Sequence, residues 1–275
     1  MRIYGGLHEL IGNTPMIKMG NIYSKCEIFN PTGSIKDRSI FSMLEAYCQK
    51  GDTVSMASSG LSALSLAQIG ASMGINVIIV ATDNMDERFR KKLASYGAEV
   101  VLVPSEKGMK NAILTAKDIR EAVYINHFED PLCTLANRDY TGVEIWQDMN
   151  EEVDIFIAGV GTGASLTGAG ELLRSKNRDV KIIAVEPEES AVLSGKKPGL
   201  HEIPGLGAGF IPPLFDVNLP NEILTVSSET AVKTSREMRR CYGLPFSISS
   251  GAVYAAAKTV TENSAGKKIV ALLPA

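Results

Sequence analysis

The residue with the most chemical promise is a lysine at a helix entrance. The largely apolar run from Ile22 to Phe29 is cut by Asn30-Pro31-Thr32-Gly33, a turn signal in which Pro31 lacks an amide donor and Gly33 bends freely. Ser34 can then cap a helix from Ile35 toward Gln49, with Ile35, Ile40, Met43, Leu44 and Tyr47 at helical spacing. Lys36 falls in its first turn, where the positive end of the helix dipole and nearby Arg38 both disfavour an ammonium. An amine held neutral there can attack a carbonyl. The plainer alternative is an ordinary helix-start lysine.

Three further turns carry groups suited to anions or rings. Ser58-Ser59-Gly60-Leu61-Ser62 follows the apolar run Thr53 to Ala57 and opens a helix. Its free amides, its hydroxyls and the dipole suit an anion, although a plain serine cap reads the same way. Gly159-Val160-Gly161-Thr162-Gly163-Ala164-Ser165 also joins a strand to a helix, and its glycines let backbone approach a phosphate while Thr162 and Ser165 add hydroxyls. A dinucleotide is the competing reading, because Gly159-x-Gly161-x-x-Ala164 fits that fingerprint and Glu186 ends the next strand. Ile248-Ser249-Ser250-Gly251-Ala252 opens the last long helix, where Ser249 is either a cap or a ring contact.

The elements that must position these groups alternate. Strands are predicted at Thr53 to Ala57, Asn76 to Ala81, Glu99 to Val103, Val123 to Asn126, Asp154 to Ala158, Lys181 to Val185, Ile223 to Val226 and Lys268 to Leu273. Between most of them lie amphipathic stretches: Leu61 to Met73, Glu87 to Tyr96, Gly108 to Arg120, Thr162 to Arg174, Glu229 to Tyr242 and Ala252 to Asn263. Buried strands separated by crossover helices make parallel sheets, so the fold class is α/β. In open parallel sheets, ligands bind beyond the carboxyl ends of the strands, which is where these turns fall. Pro187 to Pro220 is the longest irregular stretch, a length that usually serves function.

Composition narrows the class. The chain has 275 residues, enough for two domains, and 45% hydrophobic with 21% charged residues is the balance of an ordinary globular protein. A net charge of −3 with scattered basic residues argues against nucleic acid. No apolar run approaches a membrane span, and Met1-Arg2-Ile3-Tyr4-Gly5-Gly6 lacks a signal-peptide core. Cys26, Cys48, Cys133 and Cys241 show no paired spacing, so no metal site or disulfide framework is implied and a cytoplasmic location fits.

Asn30-Pro31-Thr32-Gly33-Ser34-Ile35-Lys36-Asp37-Arg38 resembles the cofactor-lysine segment of the cysteine synthase and cystathionine β-synthase family, pyridoxal-phosphate enzymes of the tryptophan-synthase-β-like fold. Further similar text spans nearly the whole chain: Glu9 to Pro15, Tyr96 to Glu99, Thr141 to Trp146, Val153 to Gly163, Val185 to Pro187 and Gly205 to Pro212. The resemblance implies two open, mainly parallel twisted sheets flanked by helices. It implies a smaller domain of 26–128 with 1–10, and a larger one of 129–275 with the crossover segment 11–25.

By the same resemblance Lys36 binds the cofactor covalently and serves as the catalytic base. Gly159, Gly161, Thr162, Gly163, Ala164 and Ser165 form the phosphate cup, and Ser249 faces the pyridine nitrogen. A hydroxyl there cannot keep that nitrogen protonated as a carboxylate would, which points to β-elimination or β-replacement over transamination. Ser58, Ser59, Gly60, Leu61, Ser62, His127 and Gly205 are implied to contact the substrate. The reaction implied is β-replacement through an aminoacrylate, O-acetylserine and sulfide giving cysteine and acetate, in a homodimer.

Two departures bear on this. Leu61 replaces the asparagine that hydrogen-bonds the cofactor's ring hydroxyl in the family, and a leucine cannot make that bond. His127 replaces a glutamine that contacts the substrate carboxylate; an imidazole can donate there or shuttle a proton, unless it is simply a core histidine. These changes leave β-elimination, or β-replacement with another donor or nucleophile, as the alternative. A non-catalytic homologue is more distant. Leu61 and Ser62 also count against docking of a serine acetyltransferase tail, which enters this turn in parts of the family. The Gly205 to Pro212 loop holds no arginine, which weakens the case for a phosphorylated serine substrate.

Overall fold

The computed structural model describes residues 3–275; Met1 and Arg2, the start of the segment assigned to the smaller domain, lie outside the described residues. Two compact units emerge. The first comprises the chain up to Ile11 together with Asn30–His127, and the second Gly12–Phe29 together with Phe128–Ala275.

In the first unit, strands β3 (Thr53–Ala57), β4 (Asn76–Thr82), β5 (Glu99–Val103) and β6 (Val123–Tyr124) form a parallel sheet in the order β5-β4-β3-β6. Helices α1 (Lys36–Tyr47), α2 (Leu61–Met73), α3 (Glu87–Ser95) and α4 (Gly108–Lys117) connect them. Val80 packs toward α4 with Ala57, Val103, Ala112 and Ala116, whereas Val77 lies against Gly70 of α2. Val77 and Val80, an odd number of residues apart, thus bury opposite faces of the sheet, which is why these strands read as continuous apolar runs. Helix ends follow local chemistry: the Asp86 carboxylate accepts the Phe89 amide at the start of α3, and Gly74 closes α2 with φ +70.

The second unit holds β1 (Met16–Met19), β2 (Ile22–Cys26), β7 (Ile155–Gly159), β8 (Lys181–Pro187), β9 (Glu222–Val226) and β10 (Ile269–Leu273) in the order β1-β2-β10-β7-β8-β9. Only β1 runs antiparallel, against β2. Ile157, Ile183 and Leu273 face α8 (Ser228–Tyr242) and α9 (Ile248–Glu262) in one core, while Ile182 faces α7 (Ala164–Lys176) on the other side. Residues 188–221 hold little regular structure beyond a short turn of 3₁₀ helix, Glu188–Ser190.

Sequence periodicity misses one helical stretch of this unit. Leu132–Ala136 (α5) and Val143–Asp148 (α6) flank a π turn, Asn137–Gly142. There the Asn137 amide donates to the Cys133 carbonyl at 2.8 Å and its oxygen accepts from Thr141 at 3.0 Å. The wider turn breaks the 3.6-residue period, so apolar spacing does not reveal it. It packs so closely on α7 that a Cβ at Gly168 would sit 2.2 Å from the Thr134 carbonyl oxygen.

This stretch is also tied to β2 through a buried lysine. The Lys25 ammonium is 2.9 Å from Glu144 and 2.8 Å from Asp148, and donates to the Thr14 carbonyl at 2.6 Å. An ammonium removed from water needs such partners.

Candidate active site

In the first unit, Lys36 begins α1 and is half-buried. The preceding turn closes where Gly33, at φ +80, donates its amide to Asn30 at 2.8 Å. The helix begins at Lys36, one residue later than predicted, and the Ser34 hydroxyl accepts the Lys36 amide at 3.2 Å, the bond expected of a cap for a helix from Ile35. Sequence reasoning overlooked Asp37. Its fully buried carboxylate accepts the Thr32 amide at 2.8 Å, the Thr32 hydroxyl, and the Ser65 hydroxyl at 2.6 Å. One side chain therefore ties the lysine turn to α2. The only sequence signal for it was an acidic residue in a helix first turn following Thr32.

That same helix opens with the serine turn. Ser58 donates its amide to Val80 at 3.1 Å and accepts the Gly60 amide at 3.3 Å. The amides of Ser59, Leu61 and Ser62 have no acceptor among the described residues, as expected for a helix start awaiting an anion. Ser58 and Ser62 are buried, whereas Ser59, Gly60 and Leu61 are exposed. His127 follows β6 and is buried. Its pKa is pushed down to about 3, first by burial and then by the positive charge of Lys36. The imidazole is therefore neutral and close enough to the lysine to feel it.

In the second unit, the loop after β7 is shaped by the segment behind it. A Cβ on Gly159 would meet Leu206 at 2.6 Å, and one on Gly161 would lie 2.1 Å from the Gly205 carbonyl oxygen. A Cβ on Gly163, which has φ +87, would lie 2.6 Å from the Phe215 backbone nitrogen. The glycines thus serve packing as well as ligand approach, a role their spacing did not announce. The Gly205 carbonyl lies behind Gly161, and the Gly207 amide donates to the Val160 carbonyl at 3.0 Å.

With that side clamped, the amides of Gly161, Thr162, Gly163, Ala164 and Ser165 have no acceptor among the described residues. They stand at the N-terminus of α7 beside the Thr162 and Ser165 hydroxyls. This run of donors at a helix dipole fits a phosphate monoester.

The dinucleotide reading fits less well. Glu186 is buried and its carboxylate already accepts the Leu193 amide at 2.8 Å, the Ser194 amide at 2.9 Å and the Ser194 hydroxyl at 2.6 Å. Its oxygens are engaged in holding the following loop, not poised for a ribose. Ser249 is buried in the first turn of α9, but the cap is Ser247, whose hydroxyl accepts the Ser250 amide at 3.1 Å. Ser249 is thus not the N-cap. Because β10 and β7 run parallel and the first turns of α9 lie against Gly159 through Val253, Ser249 shares the strand-end edge of this sheet with the glycine loop.

Comparison with known proteins agrees with this chemistry. The model of a family described as pyridoxal-phosphate-dependent enzymes matches residues 7–275. The chain belongs to that family. It is 38% identical over 286 residues to cysteine synthase B of Campylobacter jejuni, covering 99% of this chain and 95% of that protein. Its structure resembles that of a cysteine synthase from Entamoeba histolytica, with TM-score 0.93, 34% identity and coverage of 100% and 88% of the two chains. A hydrogen sulfide-producing enzyme from Fusobacterium nucleatum is similar too, with TM-score 0.91, 33% identity and coverage of 99% and 98%. As a family member the chain is a pyridoxal-phosphate-dependent, cysteine synthase-like enzyme with the α/β fold of two mainly parallel sheets.

Proposed function

We propose that the chain catalyses β-replacement on a serine- or cysteine-type amino acid, in its usual form converting O-acetylserine and sulfide to cysteine and acetate. The observation that carries this reading is Ser249: a hydroxyl, not a carboxylate, stands at the strand-end edge shared with the glycine loop. Lys36 would hold pyridoxal phosphate covalently, the 159–165 loop its phosphate, and Ser249 its ring nitrogen. The chemistry supplied by the bound cofactor is acidification of the substrate Cα–H bond, so that the β-substituent can leave.

The chain's own groups do the rest. The Lys36 amine, once displaced by the substrate amine, takes the Cα proton as general base. The open amides and hydroxyls of Ser58–Ser62 bind the α-carboxylate. His127, kept neutral, donates one ring N–H to that carboxylate in place of an amide group.

Borohydride reduction followed by peptide mapping tests the assignment. A cofactor adduct on Lys36 is expected, and an adduct elsewhere or none would reject it. A second reading, β-elimination, is favoured by the changed residues Leu61 and His127 and by likeness to the hydrogen sulfide-producing relative. Incubation with O-acetylserine, with and without sulfide, separates the two: cysteine marks replacement, pyruvate and ammonia mark elimination. We further infer a cytoplasmic homodimer, to be checked by light scattering of the purified protein, in which Leu61 and Ser62 disfavour capture of an acetyltransferase tail.

A further inference from the structure

We propose that Ser247 is a positioning residue that fixes the direction in which Ser249 gives its proton. This inference rests on the cofactor reading above.

Three serine hydroxyls meet at the start of α9, each with one proton to place. Ser250 donates to the Ala275 main-chain oxygen, which also accepts the Ser247 amide at 3.0 Å. The Ser250 proton is therefore committed. Ser247 Oγ accepts the Ser250 amide at 3.1 Å and has a single proton of its own to place. Two acceptors are within reach: Ser249 Oγ at 2.8 Å and Ser250 Oγ at 3.4 Å. The first has the distance of a good O–H···O bond and the second is long for one. On these distances the Ser247 proton is assigned to Ser249, the nearer of the two oxygens.

Ser249 Oγ then has its own proton left, and no other bond from its hydroxyl exists among the described residues. The side chain is buried, so under this assignment its proton needs an acceptor from outside the helix. With the cofactor bound, that acceptor is the lone pair of an unprotonated ring nitrogen. The helix cap and the ring contact become one chain, Ser247 to Ser249 to nitrogen, and each donation strengthens the next. No proton is transferred; the relay only orients donors.

The test uses the whole protein loaded with ring-¹⁵N-labelled pyridoxal phosphate and reads the nitrogen chemical shift. Ser247→Asp keeps the acceptor that caps α9, since Asp caps as well as Ser, but it has no proton to give and takes the one on Ser249. Ser249 then offers the ring only lone pairs, and the signal is expected to move from the pyridine toward the pyridinium range. Combining S247D with S249A should abolish most of that movement. Ser247→Gly, tolerated at a cap, removes the donor without adding charge and should shift the signal part-way toward that of S249A.

A signal unchanged in both S247D and S247G overturns the relay. So does a shift in S247D/S249A as large as in S247D, which would be a through-space effect of the new carboxylate. If the wild-type chain takes up no labelled cofactor, the functional reading itself falls and the relay with it. Melting temperatures of the cofactor-free variants confirm that S247D keeps its cap.

Discussion

A histidine held near pKa 3 stays uncharged across the pH range in which most enzymes work. The folded value lies below the unfolded one of about 6.5, so between these limits the unfolded chain binds the extra proton. Stability contributed by His127 is therefore complete above about pH 6.5 and declines as the pH falls, by at most about 1.4 kcal/mol per unit. Urea midpoints of the cofactor-free protein at pH 7 and pH 5 should differ, and His127→Gln should narrow the gap. For activity the expected outcome is the reverse: no limb near pH 6.5 should trace to this residue. Lys36→Ala should lower turnover by about a thousandfold or more and abolish the borohydride adduct, read by single-turnover assay and mass spectrometry. The places of Lys36 and of the serine turns at helix starts were legible because helix starts and glycine turns leave a local mark in sequence. Asp37 and Ser247 were not, because each acts through a hydrogen bond whose partner only the fold brings close.

At the level of elements, the glycine loop is as much a packing device as a ligand cradle. Gly161→Ala would drive a methyl into the Gly205 carbonyl, a backbone group that cannot rotate away. The expected cost is about 1–3 kcal/mol of stability together with weaker cofactor retention, measured by urea unfolding and by dialysis of the loaded protein. The lysine that joins β2 to the π-turned helix predicts a second effect. Lys25→Ala leaves Glu144 and Asp148 without their shared cation and should destabilise the chain by about 3 kcal/mol in the same unfolding assay. Of the elements, α2 and β5 occupy the ranges read from the sequence, α2 because Gly74 ends it and β5 because Val100 to Val103 is continuously apolar. The stretch 132–148 escaped because its π turn carries Asn137, Asp139, Thr141 and Gly142 where a regular helix would show apolar repeats. Strand β1 escaped because Met16–Met19 is short and mixed in character.

Across the whole molecule, the two sheets differ in how far apart in the chain their strands lie. All strands of the first unit fall between residues 53 and 124, joined by single crossovers. The second sheet pairs β2 with β10, Ile22 opposite Ile269 and Cys26 opposite Leu273. That pairing closes a loop of nearly the full chain, and such distant contacts form late. In pulsed hydrogen-exchange refolding, amides of β3, β4 and β5 should gain protection before those of β2 and β10; simultaneous protection would count against this order. Synthesis on the ribosome meets the same constraint. β2 leaves the exit tunnel long before β10 and must wait with one edge bare until that strand emerges, so the nascent chain carries a sticky, unmated ribbon in the meantime.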